Sequence, residues 1–168
     1  WYRERPDQWC THKSAPKDTL LFNYYLRHRP RHILNSEARA YSDNFYGITS
    51  KSPINALAWL AALNATASVA GIMQKARNQG AGLAKLQLFE YREAQVVDVR
   101  LWSEADRRKL EGMGRELTEA KYPNTSLVQK VDGLIASVLG SPDLAPLKIE
   151  AELVQAEIAA KQPSGRAV

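Results

Sequence analysis

Apolar positions along the chain follow two periods, and the change from one to the other divides it. Residues 20–26 (LLFNYYL) form an apolar and aromatic run that predicts a strand. The arginine-rich HRPRH turn follows, then Ile33 and Leu34 as a second short strand and a polar loop through Asp43. Residues 44–49 (NFYGIT) predict a third strand, with Gly47 marking a bulge. Ser52 and Pro53 suit an N-cap and the first helical position, and predict a small-sided, alanine-rich helix from there to Gln79. Residues 83–89 (LAKLQLF) alternate with period two and predict another strand.

From Ser103 the period is helical. Ser103 is placed to cap a helix with Glu104 and Asp106 in its first turn, where the dipole favours anions, while Gly112 and Gly114 weaken its middle. Asn124 heads a second helix with Val128, Val131, Leu134, Ile135 and Val138 on one face and Gly140 as its terminator. A last helix is predicted over residues 145–161. The expected fold is α+β: a small mixed sheet with a packed alanine-rich helix over residues 1–102, then a helical C-terminal appendage over residues 103–168.

The chain has 168 residues, enough for a core without staples, and its single cysteine, Cys10, excludes an internal disulfide framework or multi-cysteine metal site. No cationic start precedes an apolar run, so no signal peptide is visible and a cytoplasmic setting is expected. The longest apolar stretch, residues 57–73, is interrupted by Asn64, Thr66 and Ser68 and reads as a buried helix, so no membrane partner is expected. The opening, with two aromatics and no initiator Met, reads as the interior of a longer protein. Net charge is +5, and the excess is uneven: 13 Lys/Arg against 7 Asp/Glu through Glu93, then 10 against 11. A basic, aromatic-rich first half points to a polyanion partner.

Catalytic constellations are not evident. No Ser sits in a nucleophile elbow, and His28 and His32 are spaced as metal ligands but surrounded by Arg27, Arg29 and Arg31, which repel a cation. Gly80 and Gly82 form a GxG after a helix and before a strand, the reverse of a nucleotide cradle. They read instead as a helix end and turn, with Lys75, Arg77, Asn78, Gln79 and Lys85 around them. Cations neutralise phosphates, while amides and Arg read base edges. The second cationic group is Arg27-His28-Arg29-Pro30-Arg31-His32, with Tyr41, Asn44 and Tyr46 beyond it.

Four segments together resemble the C-terminal target-recognition region of adenine-specific DNA methyltransferases of restriction–modification type. They are the leading WY, the RPRHILN run from Arg29 to Asn35, NFYGIT, and ALNATASVAGIMQKARNQGAGLAKLQLFEY from Ala62 to Tyr91. The resemblance covers roughly residues 1–102 and implies sequence-specific binding of double-stranded DNA. The family's catalytic Asn/Asp-Pro-Pro-aromatic motif is missing, since the chain has no Pro-Pro. It therefore resembles a recognition fragment with no cofactor of its own, partnered by an N-terminal methyltransferase domain that uses S-adenosylmethionine. Expected DNA contacts are Arg27, Arg29, Arg31, Asn44, Lys75, Arg77, Asn78, Gln79, Gly80, Gly82 and Lys85. Two alternatives stay open: a helical protein-interaction module without DNA binding, and part of a fused restriction–modification nuclease.

Overall fold

Leu20, Leu21 and Phe22 are buried in succession, the pattern of a central strand covered on both faces. In the computed structural model, which describes residues 15–26, 30–51, 54–79, 83–120 and 125–141, they belong to β1 (Thr19–Asn23). This strand lies between β3 (His32–Asn35) and β4 (Phe45–Ile48), antiparallel to both. β4 pairs with β1 residue for residue, without the bulge expected at Gly47. The strand expected over residues 20–26 is broken at Tyr24. There the Asn23 side chain accepts a hydrogen bond from the Tyr25 amide at 2.8 Å, and the chain turns into β2 (Tyr25–Leu26) of a different sheet. That second sheet has the order β2-β6-β5, with β5 at Arg77–Asn78 and β6 at Ala84–Lys85, again antiparallel throughout.

The expected long helix is two helices, α1 (Ala56–Asn64) and α2 (Thr66–Met73), bent 67° apart at Ala65. Long-range capping causes the break. Asn64 accepts from the His32 amide at 2.9 Å and donates to the His32 carbonyl at 3.0 Å, so its side chain grips β3 like a further strand residue. Two residues on, Asp132 accepts the Thr66 amide at 2.8 Å and the Thr66 hydroxyl at 2.6 Å, satisfying the first amide of α2 from a distant helix. The first helix starts later than expected, because Asn55, whose side chain accepts from the Leu57 amide, is its N-cap; Ser52 and Pro53 lie outside the described residues. The strand expected over residues 83–89 is likewise short. Gln87 and Glu90 form a reciprocal capping box that opens α3 (Leu88–Glu93).

The C-terminal half follows its sequence more closely. Asp98 starts a single 3-10 turn (Val99–Leu101), and Ser103 caps α4 (Glu104–Glu119) by accepting from the Asp106 amide. The fifth helix, α5 (Thr125–Leu139), ends at Gly140, whose φ of +63° lets the Ser141 amide return to the Ala136 carbonyl. Asn124 and the helix expected over residues 145–161 lie outside the described residues. Ala58, Ala61 and Val99 share one buried cluster with Leu110, Val131 and Ile135, so α1 packs in the same core as α4 and α5. The fold is α+β. Among the described residues no single helix is long and apolar enough to cross a membrane.

Gly114 permits the α1–α4 contact. A Cβ there would lie 2.1 Å from the Leu57 carbonyl oxygen, whereas one at Gly112 would meet nothing within 4 Å. Gly114→Ala should therefore destabilise the protein by about 1–3 kcal/mol through overpacking. Gly112→Ala should stabilise it by about 0.5–1 kcal/mol through backbone entropy alone. Urea unfolding of the two variants checks the contrast.

Candidate nucleic-acid interface

The second sheet is narrow, but its register sorts its side chains cleanly. Leu26 and Asn78 both pair with Ala84, while Tyr25 and Arg77 both pair with Lys85. Residues directly opposite on neighbouring strands share a face. Leu26 and Ala84 are buried against Phe22, Ile72, Met73 and Leu86. The other row, Tyr25–Lys85–Arg77, consequently lies on the outer face, and spans about 10 Å at ordinary strand spacing.

That row sets two cations side by side, with aromatic rings against each. The Lys85 ammonium lies 5.6 Å from the Tyr24 ring centroid and 5.4 Å from that of Tyr25. Tyr24 in turn stacks on Tyr46 at 5.1 Å, and the Tyr46 hydroxyl donates to the Leu86 carbonyl at 3.2 Å. At the other end the Arg77 guanidinium lies 5.4 Å from the centroid of the Phe89 ring. Arg77 is also paired with Glu90, which is only 7% exposed. Burial pushes the Glu90 carboxyl up, but the Gln87 amide and the Arg77 guanidinium outweigh it and hold it below its ordinary value. Glu90 thus stays ionised and fixes both the start of α3 and the direction of Arg77.

The expected contact residues fall into three groups. Arg77, Lys85 and Gln79 come together at this sheet, where the Gln79 amide donates to the Leu83 carbonyl at 2.8 Å. Lys75 is exposed on the approach to β5, and Asn44 is exposed beside Tyr24, whose amide donates to the Asn44 carbonyl at 3.3 Å. Asn78 belongs to β5 by its backbone. Arg31 is exposed and follows the buried Pro30. Arg27, Arg29, Gly80 and Gly82 lie outside the described residues. Leu26 pairs with Ala84, and the Gln79 amide bonds to the Leu83 carbonyl. Tyr24, Tyr25, Phe89 and Glu90 belong to this surface and are not among the residues expected from sequence.

His32 departs from the cationic cluster that the sequence suggests. Its ring is buried, stacks on Phe22 at 4.8 Å, and shares a hydrogen bond of 2.8 Å with the Tyr91 hydroxyl through Nε2. Burial, only partly offset by the Leu63 backbone, lowers its pKa to about 3, so it carries no charge near neutral pH. Among the described residues no group of three His, Cys, Asp or Glu could hold a metal ion.

Searches of protein-family models, curated proteins and solved structures find no match to the chain.

The buried histidine has a consequence for stability. Its folded pKa lies below its unfolded value, so between about pH 6.5 and pH 3 the unfolded chain binds the extra proton. Stability should fall with decreasing pH across that window, by up to about 1.4 kcal/mol per unit from this group. Urea midpoints measured from pH 7 to pH 4 should show the slope, and His32→Leu should flatten it whatever its stability at pH 7.

Proposed function

We propose that the chain is the target-recognition part of an adenine-specific DNA methyltransferase. In this reading it grips and reads double-stranded DNA for a catalytic domain in the cytoplasm. That domain supplies S-adenosylmethionine and the chemistry; the fragment binds no cofactor itself. The observation that carries the DNA-binding reading is the outer row of the second sheet. Lys85 and Arg77 sit directly opposite one another on paired strands. Like charges so placed cost about 0.2–1 kcal/mol. A polyanion relieves that repulsion, and the rings of Tyr24, Tyr25 and Phe89 beside the cations suit nucleotides better than a featureless acidic surface.

Roles follow from chemistry and position. Lys75, Arg77 and Lys85 neutralise phosphates, joined by Arg27, Arg29 and Arg31 from the segment that follows β2. Gln79 and Asn44 offer amides to base edges. Gly80 and Gly82 let the backbone approach the duplex closely. The resemblance noted in the sequence supports the enzyme class, and the charge row supports DNA as partner.

A second reading has its own observation. Leu101 is 86% exposed and lines a groove of about 510 Å³ with Trp102, Val138 and Leu139. Such a groove fits an interaction module.

Salt titration separates the two. The logarithm of duplex affinity should fall linearly with the logarithm of salt concentration, and Lys85→Ala or Arg77→Ala should each reduce that slope by about one. Arg108→Ala, which removes an exposed cation paired with Glu104 on α4, should leave it unchanged. Equal effects from all three variants, or self-association with no duplex affinity at low salt, would overturn the DNA reading.

A further inference from the structure

Arg77 is held more firmly than a phosphate contact requires. A phosphate asks for positive charge, which Lys85 on the neighbouring strand supplies as a point charge on a flexible stem. The Arg77 guanidinium is instead fixed on two sides. Its Nε donates to Glu90 Oε1, and Glu90 is anchored in turn because its other oxygen accepts the Gln87 amide at 2.6 Å. The guanidinium also lies over the Phe89 ring, 5.4 Å from its centroid. These contacts engage one of the five guanidinium N–H donors. Among the described residues none bonds to the two terminal nitrogens, and the side chain is 58% exposed. Arg77 thus presents a planar fork whose direction is set and whose terminal N–H groups are unbonded. Such a fork loses little freedom on binding.

A fixed fork suits a partner that offers two acceptors in one plane. In the major groove guanine alone does so, through O6 and N7. Adenine sets a donor beside its acceptor, thymine offers one acceptor and a methyl group, and cytosine offers a donor. That groove is about 12 Å wide and admits a two-stranded ribbon, while the outer row is about 10 Å across at ordinary strand spacing. We propose that Arg77 determines specificity on this face by reading a guanine: its terminal nitrogens donate to O6 and N7, while Glu90 and Phe89 hold the plane of the fork. This role rests on the reading that the chain binds duplex DNA, and it adds a base that the target must contain. Charge and direction do separate things in one side chain. The charge adds to the attraction for the backbone, and the direction selects the base.

Selection of duplexes from a randomised library by the 168-residue chain tests the assignment. The enriched sites should share a guanine. Replacing it by adenine should weaken binding by about 5- to 150-fold, the equivalent of 1–3 kcal/mol. Replacing it by 7-deazaguanine, which lacks only the N7 acceptor, should weaken binding as well. Arg77→Ala and Lys85→Ala each remove one charge, but only Arg77→Ala should lose the enrichment of that guanine. Duplex binding that persists in both variants shows that they are folded. Enriched sites with no shared guanine, indifference to 7-deazaguanine, or a guanine that Arg77→Ala still selects would overturn the assignment and leave duplex binding standing. No affinity for any duplex overturns both.

Discussion

The arrangement of the outer row depends on a single backbone junction. Only Tyr24 separates β1 from β2, yet Asn23 turns the chain there so that the five residues of β1 serve one sheet and the two of β2 another. Tyr24 then bonds to both sides: its amide donates to the Asn44 carbonyl, and its carbonyl accepts the Leu86 amide at 3.0 Å. Those bonds brace the pairing of β2 with β6, which holds Tyr25 and Lys85 in register in the row they share with Arg77. The same junction orients the Tyr24 ring toward Tyr46 and Lys85. Fold and candidate interface are thus coupled through one residue's backbone.

Charge on that surface is managed locally. Glu90 offsets Arg77 and is itself held by the cap of α3, while the tyrosine rings face Lys85. The anionic counterweight is buried and the cations remain outward, which leaves the face positive toward solvent despite the ion pair. Cation–ring contacts of this kind contribute about 0.5–1 kcal/mol at exposed sites. They moderate the repulsion between Lys85 and Arg77 without consuming the charges.

Local patterns in the sequence anticipate the elements that local forces build. Ser103 caps α4, Gly140 ends α5, and the strands near residues 33 and 45 stand where their apolar runs suggest. The bend between α1 and α2 is illegible locally, because its cause is Asp132, 66 positions from Thr66, together with the strand residue His32 on Asn64. His32 itself shows how a residue type misleads: within an arginine cluster it suggests charge, but its ring is in the core. Phe89 is the opposite case. The alternation over residues 83–89 hides it in an expected strand, and Gln87 is not a residue type that marks a helix start, so its cap with Glu90 shows only in the structure. The grouping of Arg77 with Lys85 is foreshadowed by the glycines between them; that of Tyr25 with either is not, since it arises from pairing between distant strands.

The central claim is that DNA is held by the outer face of the second sheet. Amide chemical-shift mapping of the chain titrated with a short duplex tests this most directly. The account predicts the largest shifts at Tyr25, Arg77, Lys85 and Phe89, with Leu101 and Arg108 unmoved. Shifts centred on α4 and α5, with the second sheet silent, would contradict it.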